Sequence, residues 1–215
     1  MKDLISQENI EPWKISYNKI LRVLYPHYSI EGRKKTIDLE EFPNAKNYLL
    51  SHKEKLASRK YLIEAGRQWF EIWVPQNPSL WEFPKLVFPD ISSYPRFYFD
   101  ESKRIVNGNC YWMVAKSPNE IDQLLLIQGI ANSSLMTKYH DLMFNNKLYS
   151  GRRRYFTQYV EKYPLPNILS KPSQEIISIV KELNALSPIN NNELIKQLEF
   201  KVAEAFGVKP VPSIF

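Results

Sequence analysis

An α+β fold, with short antiparallel or mixed strands in the middle of the chain flanked by helices, is the class this sequence predicts. Prolines at 75, 78, 84, 89 and 95 rule out a continuous helix there and confine strands to short pieces. The pieces Lys85-Leu86-Val87-Phe88, Arg96-Phe97-Tyr98-Phe99 and Cys110-Tyr111-Trp112-Met113-Val114 are rich in β-branched and aromatic residues. Beyond Ser117-Pro118, apolar residues recur at helical spacing almost to the end. Helix, then strands, then helices in sequence order is an α+β signature.

The elements follow in order. Residues 20–25 read as a strand stopped by Pro26. Residues 38–56 read as a helix, with Phe42, Leu49 and Leu56 on a heptad-like spacing and Pro43 near the start, where a missing amide is harmless. Residues 61–65 extend it to Gly66, and Trp69-Phe70-Glu71-Ile72-Trp73-Val74 is strand-like. Asn107-Gly108 is a turn signal that joins strands 96–99 and 110–114 in an antiparallel hairpin. Asn119 and Glu120 open a helix through Ile121, Leu124, Leu125 and Ile130. A second helix, 131–144, is expected to bury Leu135, Tyr139, Leu142 and Met143. Asn145-Asn146 and Gly151 mark a loop, and Pro164 and Pro166 bracket an extended link. Helices 173–186 and 192–206, joined at Ser187-Pro188, close the chain before Gly207. Trp69, Trp73, Phe88, Phe97 and Trp112 are expected in the core, by alternating burial. The domain reading is residues 1–166, with a helical appendage, 167–215, packed on it.

Composition narrows the function classes. With 44% hydrophobic and 24% charged residues over 215 positions, the chain is not mainly disordered. The longest aliphatic run, Leu124-Leu125-Leu126-Ile127, is far below the ~20 residues of a membrane span, so no membrane is expected as a partner. The N-terminus lacks the apolar core of a secretory signal. A single cysteine, Cys110, fits a reducing compartment, and a cytoplasmic location is expected. Six isolated glycines assemble no phosphate-cradling loop. His27, His52 and His140 share no ligand spacing with Cys110, and each is expected at the surface or half-buried.

The net charge of +6 is unevenly placed. Residues 147–171 carry six bases against Glu161, a net +5, whereas 172–215 carry four lysines and five glutamates. Residues 31–67 are at +3. The basic centre is Arg152-Arg153-Arg154, interleaved with Tyr149, Tyr155, Phe156 and Tyr159, a mixture of guanidinium forks and flat rings suited to nucleic acid; a solvated loop is the bland reading. Two other patterns are weaker. Asp90, Glu101 and Lys103 have the order of a PD-(D/E)xK metal-dependent nuclease. Asn77-Pro78-Ser79-Leu80 departs from the Asn/Asp-Pro-Pro-Tyr/Phe of amino-methyltransferases at its last two positions.

Four segments, read in order, resemble one module. They are Tyr48-Leu49-Leu50 with residues 56–59; Trp69-Phe70-Glu71-Ile72; Pro84-Lys85-Leu86-Val87-Phe88-Pro89-Asp90-Ile91-Ser92; and a C-terminal set. That set is Leu125-Leu126-Ile127-Gln128-Gly129-Ile130-Ala131-Asn132-Ser133, then residues 151–155, then Tyr159-Val160-Glu161-Lys162-Tyr163-Pro164-Leu165-Pro166. Together, across 48–166, they resemble the TaqI-like C-terminal specificity domain. This is the target-recognition part of adenine-specific DNA methyltransferases and of fused type IIG, Eco57I-like, restriction-modification enzymes. The chain departs from the family pattern in lacking the catalytic domain that normally precedes the module, and in having Ser150-Gly151 where two glycines are common.

The resemblance implies a non-catalytic domain that grips double-stranded DNA opposite a methyltransferase catalytic domain or subunit, its other expected partner. No cofactor is expected in this chain, and S-adenosylmethionine would bind the missing catalytic domain. The implied DNA contacts are Arg152, Arg153, Arg154 and Tyr155, then Lys147 and Lys171, with Arg59, Lys60, Arg67 and Arg96 as weaker candidates whose alternative reading is an ordinary surface charge or structural ion pair. Two alternatives stay open: a Mg²⁺-dependent nuclease using Asp90, Glu101 and Lys103, and a protein-interaction module docking through Leu194, Leu198, Val202 and Phe206.

Overall fold

The computed structural model describes residues 1–16, 21–144, 148–185 and 191–212. Its fold is mixed α+β, with small antiparallel and mixed sheets, intervening helices and two helices at the C-terminal end. The chain divides into two compact units, Met1–Asp3 with Arg22–Glu82, and Leu4–Leu21 with Phe83–Phe215. Strands β1 (Lys2–Ile5) and β2 (Leu21–Val23) lie at the points where the chain passes between them.

The first unit holds a hairpin of β3 (His27–Ile30) and β4 (Arg33–Thr36), then α1 (Pro43–Leu50), α2 (Lys53–Ala57) and α3 (Lys60–Glu64). Where the sequence predicts one helix over 38–56, a 3-10 turn (Leu39–Glu41) and two short helices stand, with a break at Ser51-His52. Pro43 sits in the first turn of α1, as expected. Ser51 Oγ donates to Tyr48 O at 2.7 Å, a local bond that competes with helix continuation.

The expected strand 69–74 is absent. Its carbonyls are taken by two arginines: Arg59 donates to Trp69 O (2.6 Å) and Glu71 O (3.2 Å), and Arg67 to Ile72 O (3.1 Å) and Trp73 O. A strand partner would need those acceptors. Trp69 is half-buried and Trp73 exposed, contrary to expectation, while Trp81 with Leu39 and Leu62 forms this unit's buried apolar set. Asn77-Pro78-Ser79 is a turn cap: Asn77 Oδ1 accepts from Ser79 N (3.1 Å) and Oγ (2.8 Å) before the 3-10 turn Pro78–Glu82.

In the second unit, β5 (Lys85–Pro89) is buried along its whole length and lies centrally. After β6 (Ile91–Ser92), β7 (Tyr98–Asp100) pairs antiparallel with one edge of β5 and β9 (Cys110–Val114) with the other. The hairpin expected between 96–99 and 110–114 is therefore replaced by an order in which β5 separates them. Asn107-Gly108 instead leads into β9 from β8 (Ile105–Val106), which runs parallel to Leu4-Ile5.

Helices α4 (Pro118–Ala131) and α5 (Ser134–Phe144) follow. Ser117 Oγ caps α4, and Pro118 occupies its first turn. The buried face of α5 is Met136, Thr137 and His140; Leu142 and Met143, expected inside, are exposed, and Leu135 and Tyr139 are half-buried. The strand β10 (Arg153–Arg154), α6 (Thr157–Val160), α7 (Lys171–Ala185) and α8 (Asn192–Ala205) complete the unit. The junction read at Ser187-Pro188 lies outside the described residues. Phe88 and Phe97 stack at 4.6 Å in a core shared by Trp13, α4, α7 and α8, and Trp112 is only half-buried.

The phrase Gln128-Gly129-Ile130-Ala131-Asn132-Ser133 serves this core. Gln128 and Asn132 both donate to Pro12 O and Phe97 O, and Asn132 Oδ1 accepts from Phe97 N at 2.9 Å. Gly129 lets α4 approach α7: a Cβ there would lie 2.8 Å from side-chain methyls of both Ile176 and Val180. His27 and His140 are buried rather than surface residues; burial pushes the His27 pKa down, and Tyr163 Oη lies 2.8 Å from His140 Nδ1.

Candidate nucleic-acid interface

Two of the three arginines, Arg153 and Arg154, form a short strand instead of continuing the loop, and Arg152 stands just before it. β10 pairs antiparallel with β6, Arg153 opposite Ser92 and Arg154 opposite Ile91. Its ends are fastened by Tyr155 N to Asp90 O and Leu148 N to Arg152 O, each 2.7 Å. A 3-10 turn, Tyr149–Gly151, delivers the chain into the strand with Ser150 at φ 64° and Gly151 at φ 69°. Gly151 is therefore needed for its left-handed backbone.

The three guanidinium groups have different surroundings. Arg153 donates to both carboxylate oxygens of Asp141, at 2.6 and 2.9 Å, and to Ser93 O at 2.6 Å. Arg154 pairs with Asp90 through bonds of 3.3 and 2.8 Å and lies 4.2 Å from the centre of the Phe156 ring. Hydrogen bonds donated to these carboxylates raise both guanidinium pKa values above the ordinary arginine value. Arg152 is exposed, and its side chain makes no hydrogen bond or ion pair to a described residue. Beside it Tyr149 is 94% exposed. Much of the local positive charge is thus balanced by Asp141 and Asp90, and Arg152 with Tyr149 forms the open part of the segment.

Tyr155 belongs to the core instead of the surface. It is 1% exposed, edge-on to Phe97 at 5.8 Å and beside His140 at 5.0 Å, and burial drives its phenol pKa upward. Its hydroxyl has no hydrogen-bond partner among the described residues.

The remaining candidates are dispersed. Lys147 lies outside the described residues, and Lys60 and Lys171 are exposed. Arg59 and Arg67 brace the 69–73 segment, with Arg67 also 4.9 Å from the Trp73 ring centre. Arg96 is half-buried and donates to Ser92 Oγ (2.8 Å), Gln7 O (2.9 Å) and Ile10 O (3.1 Å), tying the N-terminal segment to the turn before β7.

The alternative chemistries find little support. Asp90 is occupied by Arg154, and Lys103 sits in a turn at φ 56°. Among the described residues no group of three or more His, Cys, Asp and Glu is placed to hold a metal ion. The stripe on α8 is turned inward: Leu198 and Val202 are buried, and Leu194 and Phe206 pack against the core. Cys110 is buried, and desolvation pushes its thiol up to about 12, far from a reactive thiolate. Among the described residues no helix is long and apolar enough to cross a membrane.

One basic group lies outside the expected set. Arg33, Lys34 and Lys35 are consecutive and exposed on β4. The sequence signal was the +3 excess over 31–67 together with Glu31-Gly32, a turn dipeptide without the usual Asn or Asp.

Comparison with known proteins is consistent with this arrangement. The family model of the TaqI-like C-terminal specificity domain matches residues 4–165. The chain is 45% identical over 212 residues to the type II methyltransferase M.BanIII of Aneurinibacillus aneurinilyticus, covering 97% of this chain but 37% of that protein. It is 28% identical over 131 residues to M.BstVI of Geobacillus stearothermophilus, across 61% of this chain and 22% of the relative. It is 26% identical over 140 residues to M.XhoI of Xanthomonas vasicola, across 63% and 24%. The chain thus spans well under half the length of these relatives.

Proposed function

We propose that this chain, which belongs to the TaqI-like C-terminal specificity domain family, supplies DNA target recognition to an adenine-specific methyltransferase or a fused type IIG restriction-modification enzyme. The observation that carries this reading is the alignment of 97% of the chain with 37% of a type II methyltransferase. Methyl transfer and the S-adenosylmethionine site belong to a catalytic domain or subunit outside this segment. The segment's own work is to bind double-stranded DNA and select its sequence. A cytoplasmic location follows from that role.

The physical division of labour is between positioning and reading. Phosphate contacts fix register without carrying sequence information, whereas base edges in the grooves specify. Among the described residues Arg152 is the β10-segment cation whose side chain has no partner, and Tyr149, three residues before it, offers an exposed phenol and ring. Arg154 keeps a partly exposed edge, and Lys147, Lys60 and Lys171 are secondary phosphate candidates. Arg153, Arg59, Arg67 and Arg96 act as braces that hold the reading surfaces in place, and Tyr155 supports β10 from beneath.

The test is duplex binding by this chain, alone and joined to a methyltransferase catalytic domain, across a series of salt concentrations. Affinity that falls steeply with salt, and methylation of a defined site only when this segment is present, are the expected results. No binding at low salt with the catalytic domain present would overturn the reading. So would Mg²⁺-dependent cleavage by the chain alone that is lost in Asp90→Ala, which would instead make it a nuclease.

A further inference from the structure

We infer that the β3–β4 hairpin is a second DNA-contact element, a basic two-stranded ribbon that enters the major groove. The inference rests on the recognition function proposed above and adds a contact surface to it.

The hairpin is built around a tight turn. Ile30 and Arg33 face each other across Glu31 and Gly32, whose φ values of 49° and 75° are both left-handed. Two consecutive left-handed residues form a type I′ turn, whose twist matches that of the paired strands. Register places Tyr28 opposite Lys35 and Ser29 opposite Lys34. Directly paired residues share a face and successive pairs alternate. His27 with Thr36, and Ser29 with Lys34, therefore lie on one side, where His27 is buried and feels the Lys34 charge. Tyr28, Ile30, Arg33 and Lys35 make up the other side.

All four residues of that second face are exposed, Tyr28 at 40% and Ile30 at 50%. Arg33, Lys34 and Lys35 have no ion-pair partner among the described residues, unlike Arg153 and Arg154. An exposed ribbon edge invites unwanted pairing, and charges deter it, so solubility accounts for some basic residues here. It does not account for two cations, Arg33 and Lys35, that have no ion-pair partner among the described residues and share one face with an exposed tyrosine and isoleucine, while Lys34 adds a third positive charge on the other side. That combination matches a polyanion with accessible apolar groups: cations for phosphates, and an apolar ribbon face for base edges and thymine methyls. The major groove is about 12 Å wide and admits a two-stranded ribbon.

The test uses the whole chain and a mixed-sequence duplex. The double variant Arg33→Ala/Lys35→Ala changes only exposed side chains, and its fold is checked by circular dichroism and thermal melting. Each lost phosphate contact lowers the slope of log affinity against log salt by about 0.9. The double variant is expected to lose about two such steps, and a duplex whose major groove is filled by glucosylated hydroxymethylcytosines is expected to erase the difference between variant and wild type. A wild-type chain that binds duplex with an unchanged slope in the variant would overturn the hairpin assignment while leaving the recognition function intact. Persistence of the difference on the filled duplex would overturn the groove placement. Failure of the wild type to bind duplex at low salt, joined to a methyltransferase catalytic domain as well as alone, would overturn both readings. Wild-type binding to phosphatidylserine vesicles that the variant loses, with duplex binding unaffected, would assign the ribbon to an anionic membrane and refute the proposal.

Discussion

Arg153 holds Asp141 through two parallel hydrogen bonds of 2.6 and 2.9 Å, and both side chains are mostly withdrawn from water. The pair fastens β10 to α5, while the third donor of the same guanidinium reaches Ser93 O next to β6. A fork-to-fork arrangement of this kind fixes geometry as well as charge. The arginine at the centre of the basic run is therefore a brace, and its neighbour Arg152 is the residue left facing solvent.

The two arginines are predicted to separate in a salt titration of DNA binding. Arg152→Ala should lower the slope by about one unit with unchanged thermal stability. Arg153→Ala should leave the slope near wild type but cost about 1–2 kcal/mol of stability in urea unfolding, because Asp141 loses two charge-assisted hydrogen bonds in a partly dry site. Equal slope losses for both would show that the Asp141 pair opens when DNA binds.

How legible all this was in the sequence depends on whether the deciding interaction is local. The α4 start was visible because Ser117, Pro118 and Glu120 act within one turn. The order β7-β5-β9 was not, since a turn signal at Asn107-Gly108 says where the chain bends but not which strand lies between. The strand expected at 69–74 failed for a similar reason: its β-prone residues are overridden by Arg59 and Arg67 side chains, which look like surface charges in one dimension. The basic run was found by counting, but counting cannot see Asp90 and Asp141, which are distant in sequence and adjacent in space. It also passed over the β3–β4 hairpin, whose turn begins with Glu31 where an asparagine or aspartate would have flagged it.

Gly129→Ala is predicted to destabilise the second unit although alanine favours helix. The helix preference is worth about 1 kcal/mol. Against it, the new methyl would meet Ile176 and Val180 methyls at 2.8 Å and Leu198 at 3.3 Å. Ile176 and Val180 are β-branched and have little χ1 freedom on a helix, so α7 itself must shift. Overpacking of this kind costs about 1–3 kcal/mol, and with two contacts at 2.8 Å the upper part of that range applies, so the expected net loss is up to about 2 kcal/mol. Chemical denaturation measures it, and Val180→Ala in the same chain should recover part of the loss, giving a non-additive double-mutant cycle.

Asp100 anchors a buried charge cluster. Its carboxylate lies 3.2 Å from Lys85 Nζ and 2.6 Å from Arg104 Nη1, and it also accepts the amides of Ser102 and Arg104. Lys85 stands opposite Asp100 in the β5–β7 register, and neither side chain is exposed. Asp100→Ala would remove the carboxylate from between two buried cations, and a loss of about 3–5 kcal/mol is expected. The triple variant Lys85→Met/Asp100→Leu/Arg104→Met should be markedly less destabilised, because no charge is left stranded. Unfolding curves that place the triple variant below the single one would refute this account of the cluster.

Glu199 gives the fold a pH dependence of predictable sign. Its carboxylate is buried at the start of α5, accepting from Ser134 N at 2.9 and 3.1 Å and from Ser134 Oγ at 2.7 Å. Burial raises its pKa above the ordinary 4.5, and the Ser134 bonds offset this only in part. Between 4.5 and the raised value the folded state holds more protons than the unfolded state, so stability falls as pH rises through that window and levels off above it. In Glu199→Gln the amide oxygen still accepts from Ser134 N, the Ser134 hydroxyl can rotate to accept from the new NH₂ group, and no ionisation remains. The variant should therefore lack this descent, gaining on the wild type as pH increases from 4.5. Melting temperatures across the acid range provide the measurement, and parallel curves for the two proteins would show that the Ser134 bonds fully compensate the burial.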